Sequence, residues 1–148
     1  IEIHHGPHAL PLAWLLIGWL SSRLNWQPRK ARAKGGNLIT WQLASPCRNI
    51  EIKVHRDHEG PPHITHKRFA WQDESGKPES HIDITHEGHH LRMVPADSEL
   101  KPTIIPATEL PVEEMVAAQL AHRAGDKLFM TLIAFSESMA DVLGKDTK

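Results

Sequence analysis

Histidine is the residue type in this sequence that most suggests a chemical role, because 12 of the 148 residues are histidines. Two pairs are separated by two residues, His55 with His58 and His63 with His66. Imidazole is a preferred zinc ligand, and histidines on neighbouring strands can converge on one ion. The alternation of residue types places His55, His63 and His81 on the polar side of a sheet, so these three are weak candidates for metal ligands. The alternatives are a solvated histidine-rich face and a face whose charge changes with pH, since histidine titrates near a pKa of about 6.5.

A basic segment is the second candidate for function. Residues 26–37 are predicted to form a loop that contains cations and no acidic side chain. Such a loop favours docking to an acidic protein surface or to a phosphate group, and the alternative is a solvated loop. An aromatic residue at its start is the one most expected at an interface. The predicted partner-binding residues are Trp26, Arg29, Lys30, Arg32 and Lys34.

Signatures of nucleophilic catalysis and of phosphate binding are absent from the sequence. No Gly-x-Ser-x-Gly motif occurs, and Gly35-Gly36 lacks the spacing of a phosphate-binding loop. The single cysteine, Cys47, follows a proline and has no charge pattern nearby that marks a reactive thiol. His81 and Asp83 share a strand face, but such pairs are common by chance. The sequence therefore predicts no catalytic residues and no cofactor.

The overall composition restricts the class of protein further. The chain length is typical of one domain, and 17 basic against 18 acidic side chains leave a net charge of −1. This balance argues against binding to nucleic acid or to a membrane surface through bulk charge. One cysteine excludes an internal disulfide and suits a reducing cytoplasm. The longest apolar run, residues 10–20, is shorter than the about 20 residues that a membrane span needs.

The hydrophobic pattern predicts the elements that position these residues. Residues 8–25 are apolar almost all round, so we expect a helix that fills the centre of the core. Apolar and polar residues then alternate between positions 38 and 93, most clearly at 50–55, which predicts strands joined by short turns. Four tryptophans are predicted to lie in the core: Trp14, Trp19, Trp41 and Trp71.

The C-terminal part predicts an extended connector and two helices. Three prolines mark residues 95–110 as the connector, and apolar stripes follow at 111–124 and 126–143. Strands in sequence followed by helices predict an α+β fold. We expect an antiparallel sheet of about five strands, with an N-terminal buried helix and two C-terminal helices packed on one face. Residues 1–144 are predicted to form a single domain and residues 145–148 a frayed tail.

Residues 15–26 contain a specific motif, in which an apolar run leads into Gly18-Trp19-Leu20, two serines, Arg23-Leu24 and, after one residue, Trp26. This motif resembles a helix of the OpcA family, the glucose-6-phosphate dehydrogenase assembly or activator proteins of cyanobacteria and actinobacteria. The β-rich middle and the two closing helices are similar to that family as well. Because the family's proteins are longer, the chain resembles their C-terminal domain alone.

The resemblance implies a non-catalytic cytoplasmic protein that binds glucose-6-phosphate dehydrogenase and shifts it towards an active, oligomeric state. It implies no catalytic residues, no nucleic acid and no membrane as partners. One alternative is a metal-binding protein or metal-dependent enzyme that uses the histidine-rich strands. Another is an accessory domain that stabilises the rest of a longer chain.

Overall fold

A computed structural model describes residues 1–46, 48–72, 80–97, 99–107 and 127–145 of the chain. In these ranges it contains two helices and eight strands. The elements are, in chain order, β1 (Glu2–His5), α1 (Leu10–Leu24), β2 (Gln27–Lys34), β3 (Leu38–Ala44), β4 (Asn49–Arg56), β5 (Ile64–Trp71), β6 (Ser80–Glu87), β7 (His90–Pro95), β8 (Thr103–Pro106) and α2 (Lys127–Lys145).

The strands form a single open sheet in the order β2-β3-β4-β1-β5-β6-β7-β8. Strand β1 is parallel to β4, and every other neighbouring pair is antiparallel. The first strand of the chain therefore lies between two antiparallel meanders, β2–β4 and β5–β8. The predicted α+β class and mostly antiparallel sheet are confirmed, but the predicted number of about five strands is wrong, since the described residues form eight.

Two of the additional strands lie where the sequence predicted loops. Residues 27–34 form edge strand β2, in which Ala31 pairs with Trp41 and Ala33 pairs with Ile39. These two alanines provide the alternation of a strand, which the cations between them conceal. An edge strand tolerates both Pro28 and a run of exposed cations. The other addition is β8, which lies within the predicted connector.

The helix predictions have different outcomes. Helix α1 is present with Pro11 in its first turn, and α2 matches the second of the predicted C-terminal helices. The predicted helix at 111–124 lies outside the described residues. No helix in the described ranges is long and apolar enough to cross a membrane.

The helices cover one face of the sheet, and the core lies between them and strands β1 to β4. Trp41 is fully buried and meets the Trp14 ring edge-on, with ring centroids 5.5 Å apart. The buried core residues are Ile3, Ala13, Ile17, Ala31, Trp41, Leu43, Ile52, Val54 and Met139.

The buried side of helix α1 consists of Ile17 and three small residues. Ala13, Gly18 and Ser21 are buried, whereas Trp19 on the outer side is 43% exposed. A Cβ at Gly18 would lie 3.2 Å from Leu132 Cδ2, so the absence of a side chain lets α2 pack closely. Trp71, at the end of β5, is 45% exposed. The predicted core positions of Trp19 and Trp71 are therefore wrong, and those of Trp14 and Trp41 are confirmed.

Candidate binding surface on the open face of the sheet

The face of the sheet opposite the helices, here called the open face, is polar. Ile3 and its neighbour Val54 point into the core, so the flanking residues of β1 and β4 point to the other side. The register therefore places His4 beside His55 on the open face. On the other flank of β1, His4 is paired with His66 of β5.

Strand β6 extends this arrangement by one more imidazole. Asp83 is paired with Arg68, which is paired with Glu2 of β1 on the open face. His81 is two residues from Asp83 and therefore lies on the same face. Four imidazoles from four adjacent strands thus lie on one face. The side chains of His4, His66 and His81 are about one-third exposed. We call this set the imidazole row: His55, His4, His66 and His81.

The centre of the row is a close ring contact. The rings of His4 and His55 are stacked, with centroids 4.5 Å apart and planes inclined by 7°. The ring of His66 meets His4 from the other side, edge-on, at 5.5 Å. Partial burial and the neighbouring His4 lower the pKa of His55, since both disfavour a charge on its ring.

Asp83 anchors the second half of the row. Arg68 donates two hydrogen bonds to its carboxylate, from Nε at 2.8 Å and from Nη2 at 2.9 Å. His66 donates a third from Nε2 at 2.9 Å, and His81 Nε2 lies 3.5 Å from the other oxygen. Because an ionised carboxylate only accepts hydrogen bonds, this contact assigns the proton of His66 to Nε2. The hydrogen bonds from Arg68, above all, lower the pKa of the Asp83 carboxyl.

The other carboxylates near the row also have partners. Asp57 accepts a hydrogen bond from Thr65 Oγ1 at 3.2 Å and lies 3.6 Å from His4 Nδ1. Lys53 lies 3.4 Å from both Glu2 and Glu51, and its contact with Glu51 is the main reason that its pKa is raised. The acidic side chains around the row are therefore already engaged by neighbours within the protein.

Strand β2 brings permanent positive charge to one border of the open face. Lys30, Arg32 and Lys34 are paired with residues of β3 that share this face, and all three are exposed. Arg29 lies where the β2–β3 register shifts, and it lines a groove of about 230 Å³ together with Asn49.

A register shift in β2, between Pro28 and Lys30, separates the residues that the sequence placed in one patch. Trp26 packs against the core on the helix side. There it lines a groove of about 340 Å³ with Phe135 and Val142 of α2. The predicted patch is thus divided between the two faces, because the extra residue at the register shift reverses which side the later residues point to.

The three candidate metal ligands are not brought together. His55 and His81 share the open face, but their strands are three spacings apart, about 14 Å, and His81 lies four residues along β6 from the partner of His66. His63 contacts His86, with ring centroids 4.5 Å apart. His86 alternates with Asp83 along β6, so its side chain points away from the open face. In the part of the chain that the structure describes, no group of three His, Cys, Asp or Glu side chains is placed to hold a metal ion.

Sequence reasoning missed His4 and His66, the two central members of the row. Each follows the alternation of its own strand, so the parity of β1 and β5 was a usable signal. Their contact depends on β1 pairing with both β4 and β5, which local alternation does not reveal.

Comparison with protein families gives a match over residues 1–133 to OpcA_G6PD_C, the family described as the C-terminal domain of the glucose-6-phosphate dehydrogenase subunit. A comparison with curated proteins finds no match.

Proposed function

Because the chain belongs to the OpcA family through its match to that C-terminal domain, we propose that it is a non-catalytic module that binds glucose-6-phosphate dehydrogenase. The family match over residues 1–133 is the observation that carries this proposal. The sequence contains no Gly-x-Ser-x-Gly motif of a serine nucleophile, which agrees with it. We place its action in the cytoplasm, where its single cysteine would remain reduced.

The proposed effect on the enzyme is a change of population. A protein that binds an active oligomer more tightly than an inactive form raises the fraction of the active oligomer. The two equilibria are linked, so assembly of the enzyme strengthens binding of the module by the same factor. This mechanism needs a complementary surface and no reacting group on the module.

The open face is the surface that we propose for this contact. It is exposed, and its β2 border presents Lys30, Arg32 and Lys34. These three side chains are exposed, so the border presents cationic charge to an acidic surface. Trp26 and Arg29 would join the contact where the interface extends around the edge formed by β2.

A titration of the chain into glucose-6-phosphate dehydrogenase tests the proposal. NADPH formation and sedimentation are followed in the same samples. We expect faster NADPH formation together with a shift of the enzyme to a larger species that contains the chain. An unchanged rate and separate sedimentation at every ratio, repeated with a full-length family member that includes this domain, would overturn the proposal. Binding without a change of rate would retain the partner and remove the activating role.

A further inference from the structure

We propose that the imidazole row is the proton-dependent part of the docking surface, and that it takes up protons when an acidic surface of the partner enzyme covers it. This inference rests on the proposed function, whose open face it develops. It predicts that the complex becomes tighter as the pH falls from 7.5 towards 6.

The position of the row supports this role. It crosses the middle of the open face, from His55 on β4 to His81 on β6. An interface of ordinary size, about 800 Å² per partner, that includes the β2 border therefore extends over the row. When an acidic surface covers the row, the imidazoles of the row would face carboxylates instead of water.

The surroundings of the central pair determine how readily it accepts protons. Across from His55, β3 contributes the uncharged Leu38. The charged and titratable groups that face the pair come from β1, β4, β5, β6 and the segment after β4. They are Glu2, Lys53, Asp57, His66, Arg68 and Asp83.

These surroundings leave the stacked pair without enough negative charge for two protons. Glu2 is engaged by Lys53, and Asp83 is engaged by Arg68 and His66. Asp57, 3.6 Å from His4 Nδ1, leaves one negative charge beside the pair, because its bond from the neutral Thr65 hydroxyl does not cancel that charge. Protonation of both His4 and His55 would place two positive charges about 4.5 Å apart. The free protein therefore resists the second proton.

An acidic partner removes this resistance. Carboxylates placed over the row stabilise the protonated rings, so the pKa of the pair is higher in the complex than in the free chain. The affinity is then constant above the pKa of the complex, increases as the pH falls through it, and levels off below the pKa of the free pair.

The partner of this face is an acidic protein surface rather than a second copy of the chain. In a symmetric pair of copies, the same patch meets itself. The β2 cations and the protonated row would then oppose each other, and acidification would weaken the contact. Charge complementarity thus selects the acidic partner and predicts the opposite pH dependence.

Titration calorimetry with glucose-6-phosphate dehydrogenase measures the proton uptake. Binding heats at pH 7.0 are compared in two buffers of different ionisation enthalpy, and affinities are measured at pH 7.5 and 6.2. We expect an uptake on the order of one proton and up to about tenfold tighter binding for each pH unit and each proton. The double variant His4→Gln/His55→Gln should lose most of the uptake and most of the dependence of its affinity on pH. His58→Gln/His89→Gln, at two exposed positions outside the row, is the matched control and should keep the uptake.

A second measurement does not depend on the variants. Ring resonances of His4 and His55 in the unmodified protein, titrated free and in complex, should show a higher pKa in the complex. Binding with no proton uptake, or uptake that persists in the His4/His55 variant, would overturn this inference and leave the proposed function intact. No binding at either pH would overturn the proposed function itself.

Discussion

His4 stacks face to face on His55, with ring centroids 4.5 Å apart, although one belongs to the first strand of the chain and the other to β4. The contact exists because β1 pairs in parallel with β4, in the only parallel pair among the described strands. On its other side, β1 pairs with β5 and brings His66 to the same face. One short strand therefore joins two meanders and assembles the centre of the imidazole row.

Reversal of the β2 charges should weaken the complex with glucose-6-phosphate dehydrogenase. The triple variant Lys30→Glu/Arg32→Glu/Lys34→Glu is expected to bind at least about tenfold more weakly, with most of the loss in the association rate at low salt. The triple variant Arg23→Glu/Arg56→Glu/Lys101→Glu changes the net charge equally at exposed positions off the open face. Equal weakening by both variants, measured by surface binding kinetics, would show that only net charge matters.

Acid should destabilise the fold through His55. Its pKa is lowered in the native state, so the unfolded chain binds the proton more readily. Stability is therefore expected to fall as the pH drops through about 6.5 and to level off below the native pKa. In urea unfolding at pH 7.5 and 5.5, His55→Gln should show a smaller loss of stability than the unmodified protein, and His89→Gln the same loss. An identical loss in His55→Gln would contradict the assignment.

Asp83 should stabilise the sheet through its hydrogen bonds with Arg68 and His66. Asp83→Asn is expected to lower the free energy of unfolding at pH 7 by about 1 kcal/mol, a value reduced for the partial exposure of Arg68. Because the native pKa of Asp83 is lowered, its contribution is full above the unfolded pKa of about 4 and is lost as the pH falls through the native value. Urea midpoints of the two proteins should therefore converge under strong acid. A constant difference down to pH 2 would refute this account.

Gly6 should tolerate no side chain. A Cβ there would lie 1.9 Å from the carbonyl oxygen of Pro61, which is backbone and moves only with its loop. Gly6→Ala is expected to cost roughly 1–3 kcal/mol in the free energy of unfolding, the usual range for overpacking. Gly144→Ala is the control, since a Cβ at that position meets nothing within 4 Å. Equal urea midpoints for the two variants would show that the Gly6 contact is not tight.

Ile52 should be among the positions most sensitive to truncation. Its side chain is fully buried between the sheet and the helices, so Ile52→Ala is expected to cost about 2–5 kcal/mol. Ile104→Ala removes the same atoms from a side chain that is 64% exposed, and we expect a change within about 0.5 kcal/mol. Thermal unfolding of both variants measures the contrast, and similar melting temperatures would contradict the placement of the core.

Much of the local structure was predictable because its cause lies within a few neighbouring residues. The alternation at 50–55 predicts β4, and the apolar residues at 8–25 predict α1. Strand β2 was missed because its apolar positions are alanines between cations. The exposed side of α1 was missed because composition alone does not reveal that Ile17 and three small residues form the buried side.

The sequence by itself determined the α+β class and the family, because periodicity and a motif at residues 18–26 are local properties. Only the tertiary structure decided which histidines meet. That outcome depends on the insertion of β1 between β4 and β5, a pairing between distant parts of the chain. A register shift in β2 between Pro28 and Lys30 placed Trp26 and the Lys30 side chain on opposite faces of the sheet, because the extra residue reverses the alternation of sides.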